Sequence, residues 1–340
     1  MAFQTSAPTR IDLAGGTIDI WPLYLFHNKA QTINAAISLR AHAKIEKRDD
    51  NRILIQSKDL NQIAEFKDKT ELLDSKKLRL LTLLTSWFLT NPQSNSKKSK
   101  LGLTLTTNCD SPAGAGLAGS SALAVAVSSA LAQWTEWDCD PETILEIATN
   151  IEAIVIGVPT GLQDYRPAMY GGVSAIELEA NGSNRVPLNV NADELERRIV
   201  LCYTGESRNS GTNNWEITKQ HLDGNKIIFN HFERIRDTAC RMREALERAD
   251  WKTVGLAIAD EWENRKQLAP GVTTNAIDNL IDKAKAAGAI GAKVCGAGGG
   301  GCLFCYAPPE TVPAVQKALT SNGAELLEFT IDNQGLLSNQ

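Results

Sequence analysis

Basic charge, long apolar runs and cysteine are all in short supply in this chain, and each shortage excludes something. Of 340 residues, 35 are Lys or Arg and 40 are Asp or Glu, for a formal net charge of −5. Without a basic excess there is no field to hold a polyanion by counterion release, so nucleic acid is excluded as the main partner. A small phosphorylated ligand is not excluded, because it needs only a local pocket. No apolar run approaches the roughly 18 residues of a transmembrane helix, so no membrane partner is expected. The N-terminal stretch MAFQTSAPTR shows no basic segment followed by an apolar one, so no signal peptide is expected. The cysteines (109, 139, 202, 240, 295, 302 and 305) are odd in number and scattered. That pattern argues against a disulfide framework and for reduced thiols in a cytoplasmic protein. Cys302-Leu-Phe-Cys305 is a lone CxxC without a second pair or a nearby His, and reads as part of a buried strand.

What is present is ordinary globular composition, 43% apolar and 22% charged, enough for about two domains at roughly 150 residues each. Leu80, Leu81, Leu83, Leu84, Trp87 and Phe88 recur at helical spacing, and the polar stretch Asn91 to Lys100 after them reads as an exposed loop. Leu101, Leu103 and Leu105 then alternate with smaller residues, as in a strand. Residues 120–134 are Ala-rich and nearly uncharged, which predicts a buried helix. Asp140-Pro141 supplies an N-cap and a first helical proline for a further helix reaching Ile156, before Gly157. Arg198 to Tyr203 reads as a strand, Asn230 to Ala249 and Asn275 to Ala287 as helices, and Cys302 to Tyr306 as a strand. This irregular mixture favours α+β, with a break in the turn-rich 180–195 region.

Between the strand and the Ala-rich helix lies PAGAGLAGSSA, residues 112–122. Gly114, Gly116 and Gly119 satisfy G-x-G-x-x-G, where backbone amides and a helix N-terminus can meet an anion. A dinucleotide fingerprint would place its first glycine directly after the strand, whereas Asn108 to Ala113 intervene here. A Walker A loop needs Lys after its second glycine, and Gly119 is followed by Ser120 and Ser121. No H-R-D or D-F-G accompanies it, which excludes a protein kinase.

The loop resembles the P-x-x-x-G-L-x-S-S-A loop of the GHMP kinases, the family of galactokinase, homoserine kinase, mevalonate kinase and phosphomevalonate kinase. Two more family motifs occur in the expected order on either side of it: Ala7-Pro8-Thr9-Arg10 with IDLAGG ending at Gly16, and KVCGAGGGG over 293–301. Segments 7–19, 163–172, 203–211 and 268–278 are similar to the sugar-kinase branch that includes D-glycero-D-manno-heptose 7-phosphate kinases. The resemblance implies an α+β, two-domain GHMP-kinase-like fold. Residues 1–185 would form the nucleotide-binding domain and 186–340 a ferredoxin-like domain, with the site between them.

The same resemblance implies ATP and Mg²⁺. Pro112, Gly114, Ala115, Gly116, Leu117, Ala118, Gly119, Ser120 and Ser121 would hold the nucleotide, with Ser120 and Glu152 as metal ligands. Glu152 is an isolated charge among Ile151, Ala153, Ile154 and Val155, and a buried charge needs a cation or partner. Asp164 matches the catalytic Asp of relatives and Arg10 its partner. Asp19, with Gly16 and Thr17, matches a sugar-binding motif, while Arg208, Gly298 and Gly299 fall where substrate or its phosphate would lie. Lys293 is read as a surface residue, and Trp21, Trp215 and Trp262 as core. Departures touch the acceptor side: Gly119 replaces a Ser or Thr, Leu162 and Tyr165 flank Gln163-Asp164 where relatives carry Lys and Gln, and Pro167 stiffens the segment. The expected activity is phosphoryl transfer from ATP to a sugar or sugar phosphate, foremost the anomeric hydroxyl of D-glycero-D-manno-heptose 7-phosphate. Alternatives are fucose, galactose or a mevalonate-like alcohol as acceptor, or a non-catalytic sensor on the same fold. Oligomeric state is undetermined by these features.

Overall fold

The computed structural model describes residues 2–95, 97, 102–205 and 211–339, without the side chains of 211–213. Strands β1 (Ala2–Ala14), β2 (Gln31–Arg48), β3 (Ile53–Ser57), β4 (Gln62–Phe66) and β5 (Gly102–Cys109) form most of a large sheet. The hairpin β6 (Val173–Glu179) and β7 (Gly182–Pro187) completes its inner end. A smaller sheet comprises β8 (Ile199–Tyr203), β9 (Gly291–Val294), β10 (Cys302–Tyr306) and β11 (Glu325–Leu326), and β12 (Leu337–Asn339) returns to the large one. The large sheet runs β12-β1-β2-β5-β3-β4. Its spine is β2, whose first residues pair with β6 and whose last eight pair with β5.

Helices α1 (Arg79–Thr90), α2 (Gly119–Trp134), α3 (Pro141–Ile156) and α4 (Tyr165–Tyr170) cover the large sheet. The predicted buried helix is α2. Its alanines let it lie close on β1 and β2, and nearly every side chain from Ser121 to Trp134 is buried. The cap signals of α3 work as read: Asp140 accepts from the Thr143 amide at 3.0 Å, and Gly157 ends the helix at φ +76°. Residue 101 and part of the polar loop, 96 and 98–100, lie outside the described residues.

Helices α5 (Ala192–Glu196), α6 (Gly211–Leu222), α7 (Lys226–Glu247), α8 (Trp251–Arg265), α9 (Asn275–Ala286) and α10 (Val312–Thr320) belong to the second half. Its antiparallel sheet runs β11-β8-β10-β9, that is, fourth, first, third and second strand of the set. This is the ferredoxin-like order, the α+β architecture expected. All of Cys302 to Tyr306 is buried, so the CxxC is strand interior. The division expected after residue 185 falls inside β7, and β12 pairs with β1, so the final residues belong to the first sheet. Turn-rich sequence marked the β6–β7 turn, which is a hairpin within one sheet.

One core cluster crosses between the halves, joining Ile11, Leu13 and Ile33 to Leu201, Phe304, Met242 and Ile258. A set of charges lies in the same layer. Asp12 of β1 accepts from Arg265 of α8 at 3.0 Å and from Lys293 of β9 at 3.0 Å, and Lys293 also donates to Glu261. All four are at most 2% exposed. Lys293 is therefore buried, against the surface placement expected from sequence, because its partners come from segments 281 and 32 residues away. Burial opposes ionisation of Asp12, but Lys293, Arg265 and Arg10 outweigh it and bring its carboxyl down to about 2. Trp262 packs in the core at 1% exposure, whereas Trp21 and Trp215 are 58% and 54% exposed, contrary to expectation.

Replacing Lys293 by Ala leaves Arg265 as the one cation bonded to Asp12 and Glu261 among the described residues, and breaking a buried pair in this way costs about 3–5 kcal/mol. The expected result is a lowered urea midpoint with an unchanged slope. A similar loss for Lys293→Met, which restores the volume, separates charge from packing.

Candidate active site

The residues of the predicted phosphate loop line a cavity of about 420 Å³. Backbone geometry fits the loop for an anion. Gly114, Gly116 and Ala118 have φ of +70°, +78° and +62°, so left-handed residues alternate along the loop. The Ala115, Gly116 and Leu117 carbonyls accept, respectively, from the Cys302 amide at 2.7 Å, the Arg10 guanidinium at 2.9 Å and the Arg10 amide at 3.0 Å. Among the described residues, the amides from Gly116 to Ser121 find no carbonyl of their own. No side chain caps the start of α2. Unspent N–H groups and a positive helix end therefore face the cavity.

Gly116 is required as well as permitted. A Cβ there would stand 2.5 Å from the Cys295 carbonyl, and one on Gly296 would stand 2.9 Å from the Gly116 Cα. The C-terminal glycine motif thus packs backbone to backbone behind the phosphate loop and fixes its shape.

Arg10 links this loop to Asp164. Its Nε donates to Asp164 Oδ1 at 2.9 Å, its Nη2 donates to the same oxygen, and its Nη1 holds the Gly116 carbonyl. Burial works against its charge, but Asp164 and Asp12 more than compensate and raise its pKa. Asp164 stands at the start of α4. Beside it Asp19, 1% exposed, accepts from the Gln163 amide at 3.0 Å. Gly161 makes room for that carboxylate, since a Cβ would come within 2.3 Å of Asp19 Oδ2. Burial, reinforced by the Asp164 charge, pushes Asp19 up to about 6.

Glu152 is buried at 5% exposure under the loop and accepts from the Tyr165 hydroxyl at 2.8 Å. Burial raises its pKa, against which the hydroxyls of Ser120, Tyr165 and Ser121 favour the ionised form. A buried carboxylate beside a serine hydroxyl at the edge of a phosphate site is a hard-oxygen donor set.

Over 339 residues the chain is 31% identical to D-glycero-alpha-D-manno-heptose 7-phosphate kinase of Campylobacter jejuni, covering 98% of both chains. It belongs to the GHMP kinases. Residues 88–172 match the model of the GHMP kinases N terminal domain and residues 242–325 that of the GHMP kinases C terminal domain. The mevalonate kinase of Thermococcus sibiricus is 26% identical over 99% of this chain and 98% of that one. A crystal structure from Campylobacter jejuni superposes with a TM-score of 0.80 over 99% of this chain and 98% of the other, at 29% identity.

Within this GHMP kinase the cavity gathers Arg10, Thr17, Asp19, the whole 112–121 loop, Glu152 and Asp164. Three glycines expected to touch substrate stand elsewhere. Gly16 lies over the buried charges, where a Cβ would meet Arg265 Nη1 at 2.1 Å. Gly298 and Gly299 pack on Val272, and Gly296 and Ala297 of the same motif reach the cavity instead. Arg208 lies outside the described residues. Sequence reasoning missed an apolar wall of Leu60, Leu78 and Leu81, together with Arg265 and Asn214. Arg265 had one legible signal, its i,i+4 spacing from Glu261; of the leucines only Leu81 carried one, the helical spacing of the apolar residues from 80 to 88.

The raised Asp19 pKa has a stability consequence whose sign is fixed. A carboxyl near 6 folded and near 3.8 unfolded is favourable to the fold when protonated. Stability is fully present below pH 4 and is lost as pH rises to about 6. Thermal unfolding across pH 4–7 is expected to show the wild type gaining on Asp19→Asn as pH falls. A constant difference between the two proteins would contradict the burial of an ionisable Asp19.

Proposed function

We propose that this GHMP kinase transfers the γ-phosphoryl group of ATP to the anomeric hydroxyl of a sugar phosphate, with D-glycero-D-manno-heptose 7-phosphate as the favoured acceptor, in the cytoplasm. The observation that carries the reading is the Arg10 fork, which ties the Gly116 carbonyl of the phosphate loop to Asp164. One side chain thereby sets the spacing between donor and acceptor groups. The Campylobacter heptose phosphate kinase supports the choice of acceptor.

Phosphoryl transfer requires positioning and charge neutralisation more than covalent help. Loop amides and the α2 N-terminus hold the phosphates. Asp164 accepts the proton of the acceptor hydroxyl as its oxygen bonds to γ-phosphorus and the bond to ADP breaks. Arg10 keeps that carboxylate aimed and places a permanent cation beside the transferring group. Asp19 and Thr17 orient the sugar. Ser120 and Glu152 are the residues that would hold Mg²⁺. They are oxygen donors only, and no cluster of three or more His, Cys, Asp or Glu among the described residues offers a rival metal site. Bound there, the ion supplies neutralisation of phosphate charge. Arg208 is the proposed contact to the acceptor's own phosphate.

Asp164→Asn is expected to lower kcat by about 10²–10⁴ while leaving ATP affinity in place. ADP release is measured across a panel of sugars and sugar phosphates, with ATP binding measured separately by calorimetry. Near wild-type turnover in the variant removes Asp164 from the mechanism. Tight ATP binding by the wild type without turnover on any acceptor overturns the kinase reading itself.

A further inference from the structure

Buried polar atoms without a hydrogen-bond partner are uncommon in folded proteins, because each forfeits its interaction with water. Among the described residues several such atoms occur, and two belong to side chains that line the catalytic cavity: Gln163 Oε1 and Asn214 Oδ1. Gln163 is 4% exposed, so its amide is held in place rather than hydrated. It directly precedes Asp164, and its backbone N–H is fixed by Asp19 at 3.0 Å. Its side chain donates to no described group. The amide oxygen therefore stands buried in the cavity wall, beside Asp164, with no hydrogen-bond partner among the described residues.

We infer that Gln163 is a specificity-determining residue that binds the hydroxyl adjacent to the one phosphorylated, C2-OH for a C1 acceptor, with Asn214 taking a further hydroxyl from α6. The inference rests on the kinase reading above and adds the chemistry of the acceptor to it. An ionised carboxylate only accepts hydrogen bonds, whereas an amide both donates and accepts, so Gln163 complements Asp19 and Asp164 toward a vicinal diol. A mono-alcohol would leave the amide unpaired. Sites built to bond a substrate hydroxyl discriminate strongly against analogues that lack it, because the protein group is then buried without a partner. The apolar substitution Gln163→Leu removes that requirement.

The test uses full-length wild type and Gln163→Leu, with D-glycero-D-manno-heptose 7-phosphate, D-mannose 6-phosphate and the 2-deoxy analogue of each. Binding is measured by calorimetry in the presence of a non-hydrolysable ATP analogue, and kcat/KM by ADP release. Wild type is expected to lose at least 10-fold in affinity and in kcat/KM with the 2-deoxy compound. In Gln163→Leu that penalty shrinks to within about 2-fold, while ATP affinity and the thermal midpoint stay at wild-type values. Gln163→Asn, which keeps an amide on a shorter stem, recovers part of the penalty. A deoxy penalty of the same size in both wild type and Gln163→Leu overturns the inference and leaves the kinase reading intact. Binding of the sugar phosphates without phosphoryl transfer overturns the kinase reading, while the ratio of binding constants still decides the role of Gln163. A wild type that binds none of the four compounds overturns both.

Discussion

Four charges buried in one layer hold the molecule in its working shape. Asp12 comes from the first strand, Glu261 and Arg265 from α8, and Lys293 from β9, so both sheets meet at a single ionic cluster. Removed from water, such groups are tolerable only when each has a partner. The pairing therefore fixes the halves against each other with a directionality that apolar packing alone does not supply. Arg265 extends the cluster upward by donating to the Gly296 carbonyl, and Asp12 accepts from the Gly296 amide at 3.3 Å. Gly296 in turn lies against Gly116. Position of the phosphate loop is thus set by a chain of contacts beginning in the charged layer.

That arrangement accounts for the three glycine-bearing motifs being spread over nearly 300 residues of sequence. The first supplies Arg10 and Asp12, the second the open amides, and the third the backing on which the second rests. None forms a site alone. Asp164, the proposed catalytic carboxylate, accepts two guanidinium donors of Arg10 on one oxygen, and such charge-assisted bonds hold a side chain with little conformational freedom. The Asp19 side of the cavity is organised in the same way, with the 161–164 segment locked onto Asp19 by a backbone hydrogen bond and by the missing side chain of Gly161.

Local signals read well because their physics is local. Asp140, Pro141 and Gly157 punctuate α3 through groups a few residues apart, and the Ala-rich composition of α2 is enough to place it against a sheet. Glu152 was legible for a similar reason, as a charge stranded in an apolar run. The tryptophans were not, since Trp21 is exposed between Ile20 and Pro22 while Trp262 is buried between Glu261 and Glu263, the reverse of what their neighbours suggest. The glycines of the 296–301 run likewise could not be told apart, because which of them faces Val272 and which faces the cavity depends on the loop opposite.

By itself the sequence determined the α+β class and the glycine loop between strand and helix, and through the family resemblance it implied the ferredoxin-like second half and the chemistry expected of Arg10, Asp19, Glu152 and Asp164. Periodicity, caps and motif residues carry that information within short windows. Only the tertiary structure decided that Lys293 is interior, that β12 closes the first sheet, and that Gln163 meets the cavity with an unpaired amide. Those outcomes depend on partners up to 335 residues distant, and the burial of a charge or an amide is a property of what surrounds it rather than of its neighbours in the chain.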